Sequence, residues 1–424
     1  MIVEVKAQNF LSFKDGMTFS LEGVKAFQER EVNNVIGTYH GRKLLKSAAI
    51  LGDNGSGKSN VLKAIGHMRR LVIDAFAQPI GDPFASPPDT VRFRLSADAL
   101  AQPTYLEISF LLQDHLYRLG VEMDGPRVLR EWLYQTDVRE VALYTRVSDT
   151  MVVNKTHFPE GLPLVGKVQP DDLFLTRVAQ KGGRIASAIY LWFKQIGYVN
   201  AVNEAFYRSY TVDRMQADPD FCAWAAEVVA FLGYTRLSVV TEDQGFDAQR
   251  FGRGVSPSYR ESFRVLFADS DKRRILGWQM QYAADGQPGT EVAFHFEKEA
   301  SASARRLLYL LGPIYDSLQN GKLLLIDEFT AQLQPHMLQR LLGLFHVTNQ
   351  KGAQFVLTGH GEPLLSMGKL RRDQLWFVEK DDLGASTLSR LDDADAEEEM
   401  MAVSAFDARL EEPKSGAMPQ FLGM

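Results

Sequence analysis

Eight consecutive residues, Gly52-Asp53-Asn54-Gly55-Ser56-Gly57-Lys58-Ser59, constrain this chain more than any other feature. They complete the spacing G-x-x-x-x-G-K-[ST], a phosphate-binding loop that must sit between a buried strand and a helix. Both flanks read that way. Ala48-Ala49-Ile50-Leu51 is a short apolar run, and from Ser59 to about Phe76 the residues Val61, Leu62, Ile65 and Met68 recur at helical spacing. The glycines let successive backbone N–H groups turn inward around an anion, and the helix N-terminus adds a favourable dipole. Asn54, Gly55, Ser56, Gly57 and Asn60 are expected to line the phosphates. Lys58 should reach the β- and γ-phosphates, and Ser59 should place its hydroxyl on Mg²⁺. The expected ligands are therefore ATP and Mg²⁺. The competing reading is a glycine-rich turn with an exposed lysine.

Far downstream, Lys322-Leu323-Leu324-Leu325-Ile326-Asp327 is another short buried strand, and it ends in two carboxylates. In a fold with a phosphate loop, such a strand end faces the phosphates. Asp327 is then a Mg²⁺ partner, direct or through water, and Glu328 is placed to activate the attacking water. His360 follows the apolar strand Gln354-Phe355-Val356-Leu357 and the pair Thr358-Gly359. There it can donate to a γ-phosphate oxygen or orient water. Taken alone, Asp327 and Glu328 also read as solvated acids, and His360 as a structural histidine.

The totals exclude several other classes. Hydrophobic residues make up 45% of the 424 and charged residues 24%, so the chain reads as globular rather than disordered. A net charge of -6 shows no surface-wide nucleic-acid footprint. The single cysteine, Cys222, excludes an intrachain disulfide and a cysteine-based metal site, which fits a reducing compartment. Met1-Ile2-Val3-Glu4-Val5-Lys6 alternates like a first strand and does not resemble a secretion signal. No apolar run approaches the ~18 residues needed to span a bilayer. No membrane association is expected, and the expected location is the cytoplasm of a prokaryote.

Along the chain, Tyr105–Phe110 and Leu116–Val121 flank Gln113-Asp114-His115 as a hairpin, and Val128 to Tyr134 follows the turn Asp124-Gly125-Pro126. From about Asp171 to Tyr234 the pattern is helical, notably over Ile185–Ile196 and Pro219–Leu232. Val239 to Glu261 reads as a loop. Strands return from about Phe263, then helices from about Ala302 and from Pro335. The alternation of strand and helix around short buried strands predicts an α/β fold with a parallel sheet. The acidic stretch Asp392–Glu399 reads as a solvated tail.

The order of phosphate loop, acidic strand, helix, strand and histidine resembles ABC-type ATPases, including the SMC, RecF and OLD branches. Gln8-Asn9-Phe10-Leu11-Ser12-Phe13-Lys14-Asp15 resembles the opening of that branch, and Glu131-Trp132-Leu133-Tyr134 sits after a hairpin as in its stand-alone members. Leu370–Lys380, which contains Arg371-Arg372-Asp373-Gln374, closely resembles a stretch of the bacterial ATP/GTP phosphatase AAA family. Ser415-Gly416-Ala417-Met418-Pro419 resembles its ending. That family includes abortive-infection and anti-phage ATPases of the AbiL, RloA and PARIS kind. The resemblance implies an ABC-type head with a mixed β-sheet and a helical insertion. Residues 1–165 and 261–385 would form the two parts of the head, 166–260 the insertion and 386–424 a tail.

It also implies two heads sandwiching ATP, each completing the other's site with a signature segment. Here that segment is Ser301-Ala302-Ser303-Ala304-Arg305-Arg306-Leu307-Leu308, at a helix start, in which Ser301 should contact the γ-phosphate and Ser303 replaces the expected glycine. Losing one charge-assisted hydrogen bond costs about 1.5–3 kcal/mol, which would weaken ATP-driven closure ~10–150-fold. Ser303 could donate its own hydroxyl instead, and both serines also read as helix caps. Phe329–Pro335 lacks the aspartate and histidine usual in the dimer-crossing loop, and no Q-loop glutamine is evident. The expectation is a slow ATPase, homo-oligomeric through its heads. It would act as a defence sensor or scaffold for a separate effector protein, a nuclease or toxin, since little chain remains after Val378 for a TOPRIM domain. The alternatives are an SMC- or RecF-like DNA-binding ATPase, with DNA as ligand, a transporter subunit, and a nucleotide-gated structural module.

Overall fold

In this computed structural model the described residues are 1–25, 27, 30–37, 41–73, 91–241, 273–331, 333–366 and 368–391. The chain opens with β1 (Ile2–Gln8), β2 (Met17–Ser20), the short pair β3 (Val35–Gly37) and β4 (Lys43–Leu45), and β5 (Ser47–Leu51). Helix α1 (Lys58–Ile73) follows, then β6 (Thr104–Leu112), β7 (His115–Asp124), β8 (Arg127–Thr136), β9 (Glu140–Val147) and β10 (Thr150–Val153). Next come α2 (Phe174–Gln180), α3 (Arg184–Lys194), β11 (Gly197–Asn200), α4 (Glu204–Ala217) and α5 (Pro219–Val229). Strands β12 (Tyr234–Thr241), β13 (Arg273–Tyr282) and β14 (Pro288–His295) precede α6 (Ala302–Asn320). The chain continues through β15 (Leu323–Asp327), α7 (Pro335–Thr348), β16 (Gln354–Thr358), β17 (Leu375–Lys380) and β18 (Ser386–Arg390).

Six strands in the order β11-β15-β16-β5-β17-β18 form the central sheet, parallel except for β18. Its middle strands are buried on both faces, which is why β5 and β15 read as unbroken apolar runs. Ala48, Ile50, Leu323, Leu325 and Val356 enter one core, with α1 and the second sheet. Ala49, Leu51, Leu324, Ile326 and Leu357 enter the other, with α6 and α7. The second sheet is antiparallel, seven strands in the order β10-β9-β8-β7-β6-β1-β2. The expected hairpin is β6–β7, turned by Gln113 and Asp114 at φ 50° and 64°, the left-handed pair that a two-residue hairpin turn needs. The fold is thus α/β with parallel and antiparallel strands.

Three readings need adjustment. The expected tail from residue 386 opens with β18, which pairs with β17 in the central sheet. Val239–Thr241, expected in a loop, is the end of β12 and pairs with Arg273–Ile275 of β13. Within the helical stretch after residue 166, β11 joins the central sheet beside β15. Residues 242–261 of the expected loop, the acidic stretch and the Ser415–Pro419 segment lie outside the described residues.

Two buried histidines give stability a pH dependence. Burial lowers His67 to about 4, with Arg70 adding to the effect. Burial lowers His346 to about 3, with Lys46 adding. Both stay neutral in the folded chain where unfolded histidine, near 6.5, already takes a proton. Stability is therefore full above pH 6.5 and falls as the pH drops from 6.5 toward 4, by up to about 1.4 kcal/mol per pH unit for each histidine. Urea midpoints between pH 7.5 and 4.5 should fall less steeply in His67→Phe than in the wild type. Parallel curves would show that His67 does not contribute.

Candidate nucleotide site

The parallel strands β5, β11, β15 and β16 all end at one edge of the central sheet, the edge where open α/β sheets bind ligands. Leu51, Asn200, Asp327 and Thr358 mark those ends. The loop leaving β5 bends through Gly52, Gly55 and Gly57 at φ 145°, 79° and 116°, so its glycines are required by backbone shape. A Cβ on Gly57 would lie 2.5 Å from Ser12 Oγ and 2.6 Å from Ser386 Oγ. The loop is braced from outside as well. Ser386 donates to the Ser56 carbonyl at 2.5 Å, Lys380 to the Gly55 carbonyl at 3.3 Å, and Asn60 Nδ2 to Ser12 Oγ at 2.7 Å.

Lys58 begins α1 and turns its ammonium back over the loop, donating to the carbonyls of Gly52 and Asp53 at 2.7 Å each. Burial lowers its pKa, and Glu328, Asp53 and Asp327 pull it back up. Ser59 Oγ donates to Asp327 Oδ1 at 2.8 Å, although 268 residues separate them in sequence. Thr358 Oγ1 donates to the same oxygen at 2.5 Å, and the Tyr198 hydroxyl to Oδ2 at 3.2 Å. Burial and the Asp327 carboxylate push the Tyr198 hydroxyl far above its usual pKa, so it remains a donor.

Glu328 has φ 57°, a left-handed conformation that is costly for a side chain of this size. Its N–H donates to Thr358 Oγ1 at 2.9 Å and the next N–H, of Phe329, to the Thr358 carbonyl at 2.8 Å. This twist takes the half-buried Glu328 out of the strand line at the phosphate-loop end of the sheet. His360 is exposed at the end of the adjacent strand, its N–H bonded to Thr330 Oγ1 at 3.0 Å. Ser301 is the N-cap of α6 and accepts from the Ala304 N–H at 3.2 Å, while Ser303 is half-buried in the first turn.

The donor set fits a nucleotide with a hard divalent cation. A hydroxyl and a carboxylate at 2.8 Å are the oxygen ligands such an ion takes, and among the described residues Ser56 Oγ, buried in the loop, has no hydrogen-bond partner. Among the described residues, no group of three or more His, Cys, Asp and Glu could hold a metal by itself. From the protein, an ion bound here would be offered the Ser59 hydroxyl and the Asp327 carboxylate.

A family described as "AAA domain, putative AbiEii toxin, Type IV TA system" matches residues 47–142 and 245–367, more than half of the chain. The chain belongs to that family. Its matched parts carry the phosphate loop, Asp327, Glu328 and His360. Tyr198 and Asn200 lie in the unmatched stretch between them. No curated protein matches the chain. Among solved structures, an SMC head bound to the C-winged helix domain of ScpA is similar at 15% identity and a TM-score of 0.48, over 93% of this chain and 99% of that one. The SMC head domain from Thermotoga maritima is similar at 15% identity and 0.42, over 92% and 99%. An SMC head with an extended coiled coil, bound to the C-terminal domain of ScpA derived from Pyrococcus furiosus, has 15% identity and 0.43, over 96% and 99%.

In this AAA-domain chain, sequence reading missed Tyr198, Asn200, Thr358 as a partner of Asp327, and the brace from Ser12 and Ser386. Asn200 is in register with Asp327 across β11 and β15, which makes it the amide placed beside the acidic strand end. The four-residue run Gly197-Tyr198-Val199-Asn200 between two helices was its only signal. Among the described residues, no helix is long and apolar enough to cross a membrane.

Proposed function

We propose that the chain binds ATP with Mg²⁺ and hydrolyses it slowly, as an ABC-type head that associates with a second copy of itself. The observation that carries this reading is the convergence of Ser59, Thr358 and Asp327, with Glu328 next in the chain and Lys58 folded over the loop. Phosphates entering the loop exchange the Gly52 and Asp53 carbonyls for charged oxygens as partners of Lys58, a stronger class of hydrogen bond. Ser59 and Asp327 would hold a divalent metal ion, which would supply neutralisation of the charge that develops on the phosphates. Glu328 takes the proton of the attacking water, and His360 donates toward the γ-phosphate. Asn54, Gly55, Ser56, Gly57 and Asn60 shape the anion cradle. Ser301 accepts one bond as a helix cap, and its hydroxyl proton can still be given to a phosphate of the partner copy. Ser303, in place of glycine, keeps the backbone further from that phosphate and favours slow turnover.

In the cell we assign this ATPase to bacterial anti-phage defence, as a sensor and scaffold that controls a separate nuclease or toxin. The toxin–antitoxin wording of the family description supports this assignment, together with the sequence likeness of Leu370–Lys380. The nucleotide reading is tested by Lys58→Ala. ATP at 100 times its Kd should stabilise the wild type by about 2.7 kcal/mol, read as a rise in Tm, and the variant should show none of it. A retained shift would remove Lys58 from the site. Copurification of an untagged protein with the wild type, released by ATP, tests the effector reading; no such protein from phage-challenged cells would count against it.

A further inference from the structure

Among the described residues, three side-chain hydrogen bonds reach Asp327, and they divide between its two oxygens. Oδ1 accepts from Ser59 Oγ at 2.8 Å and Thr358 Oγ1 at 2.5 Å, whereas Oδ2 accepts from the Tyr198 hydroxyl at 3.2 Å. The three donors come from different places. Ser59 belongs to α1, Thr358 to the neighbouring strand β16, and Tyr198 to β11 on the opposite side of β15. The register sets Asn200 beside Asp327 and Tyr198 beside Leu325, so the long tyrosine side chain reaches along the sheet to the carboxylate.

The terminal torsion of an aspartate is broad and roughly two-fold, so a carboxylate held through one oxygen keeps more freedom to rock than one held through both. A donor on the other oxygen, from the opposite strand, limits that rocking. We propose that Tyr198 is a positioning residue, which holds Oδ2 of Asp327 so that Oδ1 stays turned toward Ser59 and the metal. This inference rests on the reading of Asp327 as a metal-binding residue. Partners that orient a metal ligand in this way are typically worth ~10–100-fold in metal affinity or activity.

The Tyr198 ring packs against the core that holds Ile196 and Leu325, so Tyr198→Phe, which keeps the ring and removes only the hydroxyl, is the variant that isolates the hydrogen bond. Tyr198 also lines a cavity of about 890 Å³, bounded by Val202, Tyr207, Pro313 and Leu324 as well. Its ring is therefore not wedged between core side chains on every side.

The test uses the full chain and three variants, Tyr198→Phe, Tyr198→Leu and Asp327→Asn. Mg²⁺ is titrated at fixed ATP against phosphate release and, separately, against the ADP-induced rise in Tm. Nucleotide binding is also measured in EDTA. Tyr198→Phe should need ~10-fold or more Mg²⁺ for half-saturation, with binding in EDTA unchanged, and Tyr198→Leu should match it. A wild-type Mg²⁺ curve for Tyr198→Phe, with Asp327→Asn defective, overturns the role of the tyrosine alone. A defect in Tyr198→Leu but not Tyr198→Phe overturns it too, because the ring and not the hydroxyl would matter. If Asp327→Asn keeps the wild-type Mg²⁺ dependence, the metal reading of Asp327 falls and the inference with it.

Discussion

Glu328→Gln is expected to release phosphate ~10²–10⁴-fold more slowly than the wild type while still binding ATP. The substitution keeps the shape of the side chain and removes its basicity. It leaves intact the backbone hydrogen bonds that hold the left-handed turn, Glu328 N–H to Thr358 Oγ1 and Phe329 N–H to the Thr358 carbonyl. Neither depends on the carboxylate. Removing a negative charge beside the phosphates should tighten ATP binding slightly, because Glu328 is the strongest of the charged groups acting on Lys58. The variant should then accumulate as an ATP-bound pair of heads. Single-turnover phosphate release and size-exclusion chromatography with and without ATP read the two effects. Equal release rates would take Glu328 out of the chemistry. A slow rate with no ATP-dependent association would leave the chemistry and refute the paired heads.

The phosphate loop was legible because its physics is local. Strand, glycines, lysine and helix lie within some twenty-five residues, and each contributes through its own backbone or side chain. Asp327 and Glu328 were legible for a related reason, since a strand buried on both faces cannot end in two carboxylates without placing them at the sheet edge. What sequence could not show is who meets Asp327. Tyr198 and Thr358 are 129 and 31 residues away, and only the strand order β11-β15-β16 brings them to its two sides. β11 itself is four residues long and lies between helices, too short for periodicity to separate it from a connection. The brace from Ser12 and Ser386 to the loop is equally non-local. Ser301 shows the opposite limit, because a hydroxyl at a helix start can cap the helix and contact phosphate at once, so neither reading excludes the other.

The largest stability effect is expected at Arg371, where Arg371→Met should cost ~3–5 kcal/mol. Sequence likeness drew attention to this stretch, and in the structure Arg371, Asp373 and Gln374 are fully buried. Arg371 meets Asp373 through two parallel bonds, Nε to Oδ1 at 2.8 Å and a terminal nitrogen to Oδ2 at 2.7 Å. It also donates to the Phe27 carbonyl at 3.0 Å, and Asp373 Oδ2 accepts from the Val24 N–H at 2.8 Å. Gln374 continues the network, donating to the Ser47 carbonyl at 2.7 Å and accepting from Asn34 Nδ2 at 2.7 Å. Ser47 begins the strand that delivers the phosphate loop, so this polar cluster anchors the root of β5 to the N-terminal segment and to β17. Methionine fills the volume of the arginine stem but leaves Asp373 buried without its cation, and that uncompensated charge is the origin of the cost. Asp373→Leu should be similarly harmful, because it leaves the Arg371 guanidinium buried without its anion, whereas the double variant Arg371→Met/Asp373→Leu should be clearly more stable than the sum of the two single costs implies. Urea unfolding of the four proteins reads the coupling directly. Additive losses would mean that the two side chains act independently, and a loss below ~1 kcal/mol for Arg371→Met would mean that water reaches Asp373 in the folded chain.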